Sequence, residues 1–343
     1  MVGNLVDCEI LPASGTLAPC TRTRAGAVRQ AWICSPWTAF GPYGFDEAAK
    51  LRDAASRAAA RSAAAFGSLA LKPLGPDRNI QVRSQLFTTP IHPDSEDNGE
   101  LARKMQALAE ETRVPVLCRG FALHWQGGQI QAGKEAGLVA LPSRVVWLFD
   151  GRNPAFLERP NTRIDLALAR RHGALRLVDP GRVEPWVWER FAGLYAELYL
   201  EKHNRLNPAY TARFMKSAAE SGLVEFLVIP DGNDGGFDAF VGLFSASGFS
   251  TCPLVGVDIR TQKERGLYRM GCALCFGLAA ARGDRLNFSS GAGRFKKLRG
   301  GEQSLEYALL AVPDAWVLKL RAWGFLGAAL DRWVTPLLVK DEL

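Results

Sequence analysis

Between Pro185 and Val312 the period of the apolar residues switches in a fixed succession, and that succession limits the fold more than any single motif. "PWVWERFAGLYAELYLEKHN" and "TARFMKSAAESG" carry the period of helices. "LVEFLVIPD", "FDAFVGLFSAS" and "TCPLVGVDI" are strand-like runs, with the turn residues "DGNDGG" between the first two. A helix beginning at Tyr268, the strand "RLNFSS", a glycine-rich basic loop and the strand "SLEYALLAV" complete the order. Helices bracketing three antiparallel-looking strands predict an α/β (α+β) layer, with helices covering a mixed, mainly antiparallel sheet.

A weaker version of this order precedes Gly173. "AWICSPWTAFGPYGFD" reads as an aromatic strand and turn, and "DEAAKLRDAASRAAARSAAAFG" as one alanine-rich helix. "NIQVRSQLF" alternates like a strand, and Pro90, Pro93, Asp94 and Asp97 mark a loop. "NGELARKMQALAEETR" is a helix, followed directly by the strands "VPVLCRGFALHW" and "SRVVWLFD". A basic helix from Asn161 is stopped by Gly173. The expected organisation is a loose arm (1–30), two domains of similar pattern (31–172 and 173–312) and a helical extension (313–343). The duplication is in pattern, not in residue identity.

Composition narrows the function only broadly. A chain of 343 residues with 48% hydrophobic and 22% charged residues builds a sizeable core. A formal charge of +7 favours an anionic partner: nucleic acid, a CoA-like molecule or a membrane surface. Cys272 and Cys275 have CxxC spacing but lie inside the apolar run "YRMGCALCFGLAAARG", which reads as packed thiols in a reducing, cytoplasmic setting. The four histidines show no metal spacing, and no GxSxG nucleophile motif is present. No secretory leader and no spanning helix are expected. The C-terminal stretch "AWVLKLRAWGFLGAALDRWVTPLLV" is interrupted by Lys319, Arg321, Asp331 and Arg332. Its Trp316, Trp323 and Trp333 fit packing on the chain's own domain or a second subunit, with a membrane surface as the lesser reading.

Several segments together resemble the FemABX/BioF2-like branch of the GNAT superfamily. They are the helix "NTRIDLALARRHGALRL", the segment "LYLEKHNRLNPAYTARFM", and the block from "GVDIRTQKERGLYRM" to Phe295-Lys296 and Gly300-Gly301. The resemblance covers roughly 145–310, and the N-terminal half only by layout. It implies two GNAT-like domains and transfer of an acyl or aminoacyl group to an amine, in the EC 2.3 class. Aminoacyl-tRNA is the donor in the Fem branch and acyl-CoA in other GNAT proteins. No tightly bound cofactor and no metal are implied. A homodimer and a non-catalytic binding protein stay open.

Amide formation needs a neutral amine, a stabilised oxyanion and a proton for the leaving group. By resemblance Lys296 binds an anion or polarises the reacting carbonyl, with Arg294, Lys297 and Arg299 as phosphate contacts. Glu306 and Glu302 are candidates to hold or deprotonate the amine, Asp258 to orient it, and His203 to act as a base. Ser289, Ser290, Asn207 and Tyr307 are candidate acceptor contacts. The donor signature Q/R-x-x-G-x-G/A is only partly met by "TQKERGLYRMG": Gly266 fits, Lys263 takes the first position, and Tyr268 stands where a small residue is expected. Arg265 and Arg269 add positive charge. A tyrosine there would crowd a pyrophosphate, which favours tRNA over CoA. The stretch "NFSSGAGRFKKLRGG" is expected to be a loop with no helix of its own.

Overall fold

The computed structural model describes residues 3–4, 8–11, 17–23, 30–51, 53–72, 75, 77–84, 86–94, 99–173, 176–231 and 236–341. The chain divides into two compact units, Asn4–Val146 with Gln303–Leu343, and Met1–Gly3 with Trp147–Glu302. The boundaries therefore fall within strands rather than at 172/173 and 312/313. The basic helix expected to close the first domain belongs to the second unit, and the C-terminal segment returns to the first.

In the unit holding Asn4–Val146 the strands are β1 (Cys8–Leu11), β2 (Cys20–Thr23), β3 (Asn79–Gln81), β4 (Val116–Ala122), β5 (Val139–Asp150, up to Val146) and, from the far end of the chain, β11 (Glu302–Ala311). Their order is β1-β2-β3-β4-β11-β5; β1/β2, β2/β3 and β4/β11 pair antiparallel and β3/β4 parallel. The expected arm thus contributes two paired strands; its other residues lie largely outside those described, as does Asp97. No strand forms at "AWICSPWTAF". Ser35 accepts the Thr38 N–H and Pro36 takes the first helical position, starting α1 (Pro36–Thr38), with α2 (Gly44–Ala48) after it. The alanine-rich stretch splits because Asp53 caps a new helix, α3 (Ala54–Leu71), by accepting the Ser56 N–H. "NIQVRSQLF" keeps only the residues of β3 as strand, since Arg83 and Leu86 adopt positive φ. After α4 (Glu100–Thr112) and β4 comes a helix the pattern did not show, α5 (Leu123–Glu135), whose glycines and glutamines blur its period. Ile80, Met105, Val116, Phe121 and Leu309 centre this unit's core.

His92 lies at the edge of that core, stacked on Phe121 at 4.4 Å, with Nε2 against the Arg119 carbonyl and Nδ1 without a partner among the described residues. Burial depresses its pKa to about 3. The unfolded chain takes up this proton near pH 6.5 and the folded chain does not. Stability is therefore complete above pH 6.5 and falls between pH 6.5 and 3, by about 1.4 kcal/mol per pH unit. Urea unfolding of the wild type and His92→Gln at pH 7 and 5 is expected to show a weaker pH dependence in the variant.

The second unit holds the last residues of β5 together with α6 (Pro160–Arg171), β6 (Arg176–Leu177), α7 (Pro185–Tyr195), α8 (Ala212–Glu220), β7 (Glu225–Pro230), β8 (Phe237–Ala246) and β9 (Phe249–Val257). It continues with α9 (Gln262–Arg265), α10 (Leu267–Arg282), β10 (Arg285–Asn287) and α11 (Gly293–Lys297). The helix–helix–three-strand–helix–strand succession is as the sequence predicts. Most residues of the "DGNDGG" turn lie outside those described. Strand order is β5-β10-β9-β8-β7-β6, with β9/β10 the parallel pair. Phe149, Phe276, Phe288, Leu254 and Met270 are buried in its interior, the three rings meeting at 4.4–6.1 Å. The duplicated α/β layout with mainly antiparallel sheets is thus present in both units.

Candidate functional site

The parallel pairing of β9 with β10 covers only Phe249–Thr251 opposite Arg285–Asn287, yet β9 runs on to Val257. The pairing stops at Thr251 and Asn287, where β10 ends and β9 continues without it. The Thr251 hydroxyl at this point is buried and lacks a partner among the described residues, as does the Trp147 indole N–H. A buried hydroxyl left without a partner is an exception in a folded chain. Sequence reading placed Thr251 at the start of a strand and passed over it.

Past β10 the chain turns sharply. Ser289, Gly291 and Ala292 all have positive φ (59°, 75° and 49°), so two of the three carry a side chain in the left-handed region. The five-residue helix α11 follows, where an uninterrupted loop was expected. It delivers Lys296 inward, not toward solvent. The ammonium donates to the carbonyls of Phe288 (2.6 Å), Ser289 (3.1 Å) and Ser290 (2.8 Å), and the residue is only 3% exposed. Three convergent acceptors match the three donors of a lysine. The expected anion contact is therefore a brace for the strained loop. Ser289 and Ser290 offer their carbonyls to it, and Ser289 O also accepts the Trp147 N–H.

Arg299 is likewise corrected from phosphate contact to internal partner. Its guanidinium reaches Asp165 Oδ2 (2.7 Å from Nε) and the Phe295 carbonyl, and lies 3.4 Å over the Phe295 ring. Arg269 donates to Asp165 Oδ1 at 2.6 Å. One carboxylate on α6, 1% exposed, thus ties α10 to the turn after α11. Arg294 and Lys297 are exposed on α11.

In the segment between β9 and α10, Gly266 has φ +68° and ends α9. A Cβ there would stand 2.9 Å from Leu168 Cδ2, so the position requires glycine on two counts. Lys263 is exposed, whereas Arg265 is held by Asp238 and the Pro230 carbonyl. Tyr268 turns into the core, 5.3 Å from the Phe295 ring, and burial raises its hydroxyl pKa well above the ordinary value. It stays partly exposed at the start of α10. Asp258 is 3% exposed and gripped by Arg260 (2.6 and 3.0 Å) and Arg190 (3.3 Å). Bonding to Arg260 holds its carboxyl far below the usual range, a poor base for an amine.

The remaining candidates are not gathered here. His203 is exposed beside Tyr199, and Asn207 is buried, its amide donating to the Tyr199 carbonyl as part of a turn. Glu302 is exposed at the start of β11. Glu306 and Tyr307 belong to the other unit. Glu306 is buried in a two-point pair with Arg144 (2.9 and 3.1 Å), and Ser143 donates to it as well. The Tyr307 hydroxyl donates to Asp331 at 2.8 Å. No cluster of His, Cys, Asp and Glu able to hold a metal occurs among the described residues. Cys252, Cys272 and Cys275 are free thiols, with Cys252 and Cys275 sulfurs 3.4 Å apart.

No family model matches the sequence, and no curated protein matches it. Solved structures do. The C-terminal domain of a putative lysylphosphatidylglycerol synthetase from Agrobacterium fabrum aligns over 74% of this chain and 82% of its own at 15% identity, with TM-score 0.50. The L-PGS structure from Bacillus licheniformis aligns over 73% and 82% at 12% identity (TM-score 0.49), and FemX over 65% and 80% at 10% (TM-score 0.48). At these identities the likeness is one of fold. The chain is an α/β protein that shares its fold with the Agrobacterium fabrum domain.

Proposed function

We propose that the chain is an acyltransferase that moves an aminoacyl group from aminoacyl-tRNA to an amine acceptor. The observation that carries this is the end of the β9/β10 pairing at Thr251 and Asn287, beside the loop braced by Lys296. An unpaired strand edge can pair with an extended substrate and hold its carbonyl toward backbone donors. The amine nitrogen bonds to that carbonyl carbon, the ester C–O bond breaks, and the amine's proton passes to the departing ribose oxygen. Asp258 is too firmly ion-paired to take that proton, so the rate would come chiefly from alignment of the two substrates. The fold is shared with a domain described as part of a lysylphosphatidylglycerol synthetase, which fits aminoacyl transfer. Exposed Lys263, Arg294 and Lys297 suit a polyanionic donor, with no tightly bound cofactor.

A second reading, acyl-CoA as donor, draws on Tyr268, whose ring packs against Phe295 at the start of α10. Purified protein offered charged tRNAs and a panel of acyl-CoA thioesters separates the two. Transfer from tRNA is expected, with Arg294→Glu plus Lys297→Glu weakening donor binding at least ~10-fold at low salt and flattening its salt dependence. Micromolar CoA binding with no tRNA shift would reverse the assignment.

A further inference from the structure

We propose that the outer face of the C-terminal helices α12 (Val317–Ala329) and α13 (Thr335–Asp341) seats on the surface of an anionic lipid bilayer. The inner face is fixed: Trp323 is 3% exposed, and Gly327 lies so close to the Ala140 carbonyl that a Cβ would stand 2.8 Å from it. Helical spacing then sends Leu318, Arg321, Phe325 and Arg332 outward along one line. On α12 Leu318 is 81% exposed and Phe325 73%, and just beyond it Trp333 is 62% exposed, so large apolar side chains are left open to solvent. Large apolar side chains grouped on an exposed face mark a contact surface.

The charges choose the cover. Arg321 and Arg332 are exposed among these apolar side chains, the Arg332 guanidinium 6.0 Å from the Trp333 ring, while the exposed Lys340 also faces the carboxylate of Asp53. Nearby Asp331 is occupied by the Tyr307 hydroxyl. A second copy related by a two-fold axis would set this cationic, apolar face against itself. Lipid phosphates complement it, with aromatic and aliphatic groups entering the acyl boundary. No helix among the described residues is long and apolar enough to cross a membrane, so the contact is peripheral.

The test is co-sedimentation of the full chain with vesicles of phosphatidylcholine alone and of equimolar phosphatidylcholine and phosphatidylglycerol. Binding is expected only to the anionic vesicles and is expected to weaken as salt rises. Arg321→Gln with Arg332→Gln should weaken it about tenfold or more. Leu318→Glu with Phe325→Glu should abolish it while circular dichroism stays unchanged, because both side chains face solvent. Absence of binding, equal binding to neutral vesicles, or a dimer in light scattering that Phe325→Glu dissolves would each overturn the proposal.

Discussion

Asp165→Ala is expected to lower the free energy of unfolding by about 3–5 kcal/mol, the range for removing one partner from a buried ion pair. Two guanidiniums converge on this carboxylate, but they do not suffer equally. The Arg299 side chain is 6% exposed and the Arg269 side chain 43%. Arg269 can return to water, whereas Arg299 is left charged under the Phe295 ring with only a carbonyl to accept from it. The loss is large against the roughly 5–15 kcal/mol that holds a domain folded. It also has a signature. Asp165→Leu combined with Arg299→Met removes both charges and fills the space, and should recover most of the stability that Asp165→Ala loses. Urea unfolding of the variants measures this. A loss under 1 kcal/mol for Asp165→Ala would mean that Arg299 is satisfied without it.

What the sequence displayed and what it hid follow from the range of the interactions involved. Periodicity is local, so the helices from Pro185 and Thr211, the strands of "LVEFLVIPD" and "FDAFVGLFSAS", and the glycine-stopped basic helix were all legible. The left-handed residues after β10 were not, because nothing about Ser289 or Ala292 as residue types demands positive φ. Nor was the helical start at Ser35-Pro36, where aromatic residues imitate a strand but the cap decides. The basic residues of the glycine-rich stretch stand out in the sequence, but where each side chain points depends on partners far away along the chain. Asp165 claims Arg299 across 134 positions, and no local pattern announces that. Glu306 shows the same limit: its two-point bond to Arg144 joins strands that meet only because β11 inserts beside β5. The α/β layout was therefore readable from the order of elements, and the wiring of the site was not.

Lys296→Met is expected to destabilise the chain by about 3 kcal/mol and to loosen one loop in particular. Methionine keeps nearly the length and the apolar stem of lysine but has no donor. The carbonyls of Phe288, Ser289 and Ser290 then lose the group on which they converge. Hydrogen bonds to a charged donor are worth about 1.5–3 kcal/mol each, and partial access of water to the Ser289 and Ser290 carbonyls offsets part of the loss. Because Ser289 and Ala292 sit in the left-handed region, the segment has a relaxed alternative to move toward once the brace is gone. Amide exchange at 288–292 should accelerate more than exchange in β8 or α10. Lys296→Arg is not expected to rescue, since a planar fork of donors cannot point at three carbonyls crowded round one atom. The variant also separates two roles for this lysine. As an exposed anion contact, Lys296→Met would leave stability unchanged and weaken only donor binding, most at low salt. As a brace, it lowers stability first, and at a temperature where the variant is still folded it reduces turnover more than donor affinity, because the loop that follows β10 is no longer held.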